Sequence, residues 1–150
     1  MRRPLLLALI AAGILAFLAI SAGLARVFSL DSDERAAITT LVEDEARGDV
    51  GAMAALMYRC AAACRARLAY DAERLAHPGA VQIAELDTSA GFSLTGTLGT
   101  ARVAWTAGGS LPIVQCVRVR RAGNVIAGFE IELLELSRRI RSDADCPARF

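Results

Sequence analysis

Few side chains in this chain offer material for chemistry: one histidine, four cysteines, and a glutamine set among aliphatic residues. His77 stands beside Pro78 at the end of a predicted helix. A Ser-His-Asp or Cys-His set would have to form around it, and the sequence places no nucleophile nearby. Its position suits a loop or helix C-cap, where a cation complements the helix dipole. There is no glycine-rich phosphate loop and no histidine cluster with metal-ligand spacing. Gln115 falls on the same strand face as Ile113, Val117 and Val119. An inward amide of that kind either hydrogen-bonds a ligand or satisfies a buried backbone group. Trp105 and Phe129, on inward faces of neighbouring predicted strands, join Gln115 as candidate pocket residues. No catalytic set, cofactor or metal site is expected.

The cysteines Cys60, Cys64, Cys116 and Cys146 are even in number, which in an oxidising compartment implies two disulfides with three connectivities open. The favoured pairing is Cys60–Cys64 with Cys116–Cys146. Cys60 and Cys64 are four apart, a spacing that suits a terminal or distorted helical turn. Cys116 lies by parity on the outer face of its strand, and Cys146 lies in the polar run from Ser142 to Pro147. A bond between them would staple the tail to the sheet, closing a thirty-residue loop worth roughly 3–4 kcal/mol in the chain-entropy model. Four-thiolate zinc lacks paired C-x-x-C knuckles. Cys60-Ala61-Ala62-Ala63-Cys64 also departs from the redox C-x-x-C spacing.

These residues must be positioned by elements that follow a long uncharged segment, Pro4 to Ala25, flanked by Arg3 and Arg26. At about 1.5 Å per residue, Leu5 to Leu24 spans roughly 30 Å, the thickness of a bilayer's hydrocarbon core. Arg2 and Arg3 precede it, whereas Asp31, Asp33 and Glu34 soon follow, so the N-terminal side is expected in the cytoplasm and the remainder outside. An uncleaved anchor through residues 5–25 and a cleaved signal peptide both fit; either exports the rest. Residues 1–27 thus form an anchor or signal, 28–137 a domain, and 138–150 a polar tail.

Beyond the apolar stretch stand 15 basic and 16 acidic residues, a charge near −1 once Arg2 and Arg3 are set aside. Nucleic-acid binding needs a basic excess, and none exists. Every basic residue is arginine, alternating with acids.

Asp31-Ser32-Asp33-Glu34 has the pattern of a helix N-terminus with a capping box. Ile38, Leu41 and Val42 give the apolar face that follows, and Gly48 stops the helix. Asp49 caps a short second helix carrying Met53, Leu56 and Met57. A third spans about residues 61–76, with Cys64, Leu68, Ala72 and Leu75 on one stripe, ended by His77-Pro78-Gly79. The period then becomes two. Val81, Ile83 and Leu86 mark one strand; Phe92, Leu94 and the stretch from Thr95 to Trp105 mark a second, bent at Gly96 and Gly99. The last two strands are predicted over 111–121 and 124–136, joined by a turn at Ala122-Gly123. Arg118 and Arg120 would face Glu130 and Glu132 as solvated cross-strand pairs.

Helices followed by three or four antiparallel strands define an α+β class, a curved sheet with about three helices on its inner face. The segment Asp33-Glu34-x-x-x-Ile38-x-x-Leu41-Val42…Arg47-Gly48-Asp49-Val50-x-Ala52-Met53-x-x-Leu56 resembles the opening of nuclear transport factor 2-like domains, and the later element order resembles their small exported members. The resemblance covers about residues 32–136. It implies a cone-shaped roll with a pocket between helices and sheet. The expected function is a membrane-anchored, extracytoplasmic, non-catalytic domain binding a protein partner or small apolar ligand. The alternatives are a pocket enzyme using a lone carboxylate such as Glu85 or Asp87, and a homodimer formed through the sheet.

Overall fold

The computed structural model describes residues 2–150 other than Phe92, Leu94, Val125 and Arg149. Its first element, α1 (Arg2–Arg47), is one uninterrupted helix of 46 residues. No helix start therefore occurs at Asp31, contrary to the capping pattern. Nothing between Ala25 and Asp31 breaks a helix already under way, and the Ser32 hydroxyl donates back to the Ser29 carbonyl at 2.7 Å. The N-terminal half is long and apolar enough to cross a membrane, and none of its apolar stretch is buried. The C-terminal half enters the domain core through Ile38, Leu41 and Val42.

The helix ends in a Schellman arrangement. Gly48, at φ 72°, takes the left-handed conformation that favours glycine. Its N–H donates to the Glu45 carbonyl, and the Asp49 N–H to that of Asp44, each at 2.9 Å. Asp49 then caps α2 (Val50–Leu56) by accepting the Ala52 N–H at 2.9 Å. Next comes α3 (Ala62–Leu75), which buries Leu68, Asp71 and Ala72.

Four strands, β1 (Val81–Thr88), β2 (Thr95–Ala107), β3 (Ile113–Asn124) and β4 (Gly128–Leu136), pair antiparallel in the order β1-β2-β3-β4. Register shifts interrupt the ladders. One between Ile83 and Glu85 turns Leu86 back to the inner face, which explains the broken alternation of β1. Another lies at Gly96, between Thr95 and Thr97. A third, opposite Arg118 and Val119, lets Leu133 and Leu136 both face inward although three residues apart.

The β3–β4 turn falls later than Ala122-Gly123, which belong to β3. The Asn124 side chain sets it, its Oδ1 accepting the N–H groups of Ile126 and Ala127 at 2.9 and 2.8 Å. Arg120 accordingly pairs with Glu132, whereas Arg118 pairs with Glu135 at 3.4 Å, and Glu130 stands opposite Ala122.

The core lies between the helices and the inner sheet face, where Met53 and Leu68 meet Val103, Trp105, Val117, Val119 and Leu133. The tail covers part of the outer face. Arg102 donates to the Ser142 and Ala144 carbonyls at 2.6 and 3.4 Å, Arg118 to that of Ala148 at 2.6 Å, and the Ile140 N–H to Val114 at 2.7 Å. Cys116 is joined to Cys146 across this contact, with 5.7 Å between their Cα atoms. Cys60 is joined to Cys64 across the start of α3, with 5.3 Å between Cα atoms.

Candidate functional site

Gln115 lies on the inner face of β3 and is wholly buried. Its Oε1 accepts the Trp105 indole N–H at 2.9 Å. Its Nε2 donates to Glu45 Oε1 at 2.8 Å and to the Ser137 carbonyl at 3.3 Å. It thus does more than satisfy a backbone group: it joins α1, β2, β3 and the residue that follows β4 in one buried polar network. Trp105 and Gln115 meet directly, leaving no room for a ligand between them, and neither lines a described cavity. Phe129 is set apart, half-buried beside the β3–β4 turn opposite Gly123.

The network ends on a carboxyl group. Glu45 Oε2 is buried without a hydrogen-bond partner among the described residues. Burial pushes its pKa from 4.5 up to about 8; the Gln115 hydrogen bond opposes this, and the charge of Asp71 adds to it. Glu45 is therefore largely protonated at neutral pH. Asp71, buried on α3, is raised to about 6 by burial, with Arg138 and Arg67 acting against the rise.

Asp71 is also where the interior meets the surface. It lines two adjoining clefts. One, of about 300 Å³, lies among Arg67, Ser137, Arg138 and the tail residues Pro147 and Phe150. The other, of about 350 Å³, lies among Tyr70, Arg74, Arg138 and Arg139. Tyr70 is flanked by two guanidinium groups, Arg74 at 4.3 Å and Arg138 at 4.8 Å from the ring centre. Among the described residues, Arg67, Arg74, Arg138 and Arg139 form no ion pair with a carboxylate, although Arg139 donates to the Pro112 carbonyl at 3.1 Å. Planar, weakly hydrated guanidinium groups left in this state suit carboxylate or phosphate oxygens.

The carboxylates singled out from the sequence lie elsewhere. Glu85 is exposed and accepts the Arg102 guanidinium at 2.7 Å, which holds its carboxyl below the usual range. Asp87 is exposed on the same strand. His77 is exposed just after α3, its N–H donating to the Ala46 carbonyl at 2.9 Å. The sequence pattern puts Glu34 in a capping box and gives Glu45 and Asp71 no role, yet all three are buried and a signal for it exists. Glu34 and Glu45 continue the apolar stripe of Ile38, Leu41 and Val42, and Asp71 follows Leu68 by three. Compared with family models, curated proteins and solved structures, the chain finds no match.

Proposed function

We propose that this chain is a membrane-anchored, extracytoplasmic, non-catalytic binding domain of the nuclear transport factor 2-like type, taking an acidic group of a protein partner in its arginine-lined cleft. The observation that carries the binding part is Tyr70 held between Arg74 and Arg138, with Arg67 and Arg139 on the same clefts and no carboxylate paired to any of them among the described residues. Like charges gathered this way repel, and a bound anion relieves the repulsion. Anchoring is supported by a helix of membrane-spanning length and composition, and export by two disulfides, which suit an oxidising compartment. The order of three helices before a four-stranded antiparallel sheet supports the roll assignment. A small apolar ligand has less support, because Trp105, Met53 and Gln115 fill the space between helices and sheet. A sheet-mediated homodimer would have to use the edges at β1 or β4, since the tail covers the outer face at Arg102 and Arg118.

The test is binding of a fluorescent hexaglutamate peptide to the full chain in detergent. Salt-sensitive binding that is lost in Arg74→Glu with Arg138→Glu supports the proposal. Binding unchanged in that variant, or no binding by the native chain, overturns it.

A small acid–base enzyme is the second reading, supported by the raised pKa values of Glu45 and Asp71. Only Asp71 of the two lines a cleft, and the Ser137 hydroxyl beside it is engaged at both ends, by the Cys116 N–H and the Arg138 carbonyl, at 2.8 Å each. Asp71→Asn separates the readings. It removes the charge of the acidic side chain that lines both clefts, so it tightens anion binding if the cleft is a binding site, and abolishes turnover if Asp71 transfers a proton.

A further inference from the structure

Between Arg121 and Glu130 run eight residues without a charge, Ala122 to Phe129; of these, Ala122 to Asn124 end β3, Gly128 and Phe129 begin β4, and Ile126 and Ala127 lie in the turn between them. The apex of this hairpin carries an apolar residue in the open: Ile126 is 86% exposed. The position of this apex along α1 follows from two contacts. Gln115 meets Glu45, and Arg121 meets Glu34, its Nε donating to Glu34 Oε2 at 2.9 Å, with Asp31 on the same guanidinium. Eleven helical residues and six strand residues thus separate the same two levels. At about 1.5 Å and about 3.3 Å per residue these are roughly 16 and 20 Å, so β3 runs alongside α1 toward its apolar half. From Arg121 the strand continues to Asn124, about 10 Å further. The same distance back along α1 from Glu34 is about seven residues, which reaches Arg26 and Val27, where the uncharged stretch ends.

We propose that the β3–β4 hairpin tip, with Ile126 at its apex, dips into the interfacial layer of the bilayer that α1 spans. This rests on α1 being an uncleaved anchor. A lone helix leaves a domain free to rotate about its axis; a second contact beside it fixes which face looks along the membrane and which looks away. Arg121 and Glu130 bracket the tip at the level where water begins, Arg121 already bound to Asp31 and Glu34. The opposite end of the sheet carries its own exposed aliphatic residue, Leu111, 78% exposed beyond the β2–β3 turn, and supplies an internal control far from the bilayer.

The experiment uses the full chain in vesicles of phosphatidylcholine and phosphatidylglycerol, with Ile126→Cys or Leu111→Cys carrying an environment-sensitive nitrobenzoxadiazole label. The four native cysteines are bonded, so each variant takes up one label. The label at 126 is expected to shift to shorter emission wavelength and to lose most of its intensity to a nitroxide lipid labelled near the headgroup, while the label at 111 does neither. Protein that floats with the vesicles but keeps the 126 label in water, like that at 111, overturns the hairpin contact and leaves the anchor standing. Protein that does not float with the vesicles overturns both.

Discussion

Glu45 shows how one buried carboxyl ties the interior to pH. Its folded pKa, about 8, lies above the unfolded value of 4.5, so the stability it contributes is fully present below pH 4.5 and is lost as pH rises through about 8. Thermal unfolding of the full chain in detergent should therefore weaken from pH 5 to pH 8.5. Glu45→Gln keeps an acceptor for Gln115 and cannot ionise, so it should flatten that dependence and raise stability at the alkaline end by roughly 3 kcal/mol. Arg121 carries the opposite risk. It is the buried cation between Asp31 and Glu34, and Glu34 Oε1 already lacks a partner among the described residues. Arg121→Met should cost about 3 kcal/mol in denaturant unfolding by leaving the Glu34 charge uncompensated. These acids were hard to find in the sequence because a carboxylate is ordinarily solvated. Only their places on apolar stripes betray them, and the arginine and glutamine that serve them come from β3, dozens of residues away.

At the scale of elements, the tail is held by a covalent bond and by carbonyl contacts from Arg102 and Arg118 rather than by apolar packing of its own. Cys146→Ser should lower stability by about 3 kcal/mol on the chain-entropy estimate. In hydrogen exchange it should free residues 141–150 while β2 and β3 stay protected. Loss of protection throughout the sheet would instead make the tail part of the folding core. Elements defined by local signals were legible in the sequence: the stop at Gly48, the cap at Asp49, the apolar face of α3, and the strand faces carrying Val103, Trp105, Val117 and Val119. Elements decided by competition were not. The acidic cluster at Asp31 resembles a cap, but a helix arriving from the apolar segment has no reason to restart there. The last turn moved because one Asn124 side chain bonds two backbone N–H groups, which a two-residue turn at Gly123 would forgo.

For the whole molecule, the continuity of α1 is the fact with the widest consequence. The helix that carries the apolar stretch also supplies Ile38, Leu41, Val42 and Glu45 to the core, so a stretch apolar enough to cross a membrane and part of the domain core share one continuous helical rod. The arginine cleft could not be read in the sequence. It joins residues 67–74 of α3 to residues 138–139 after β4, and in the chain these arginines look like ordinary solvated charges. An anchored, exported domain requires that rod to remain whole and its C-terminal half to lie outside the cytoplasm. The most direct measurement is protease protection in spheroplasts expressing the full chain, with recovery of the fragments from membrane and soluble fractions. External protease should remove the domain and leave the N-terminal segment in the membrane, with no free domain beforehand. A domain that is shed intact into the medium, or that protease cannot reach until the membrane is broken, would contradict the account.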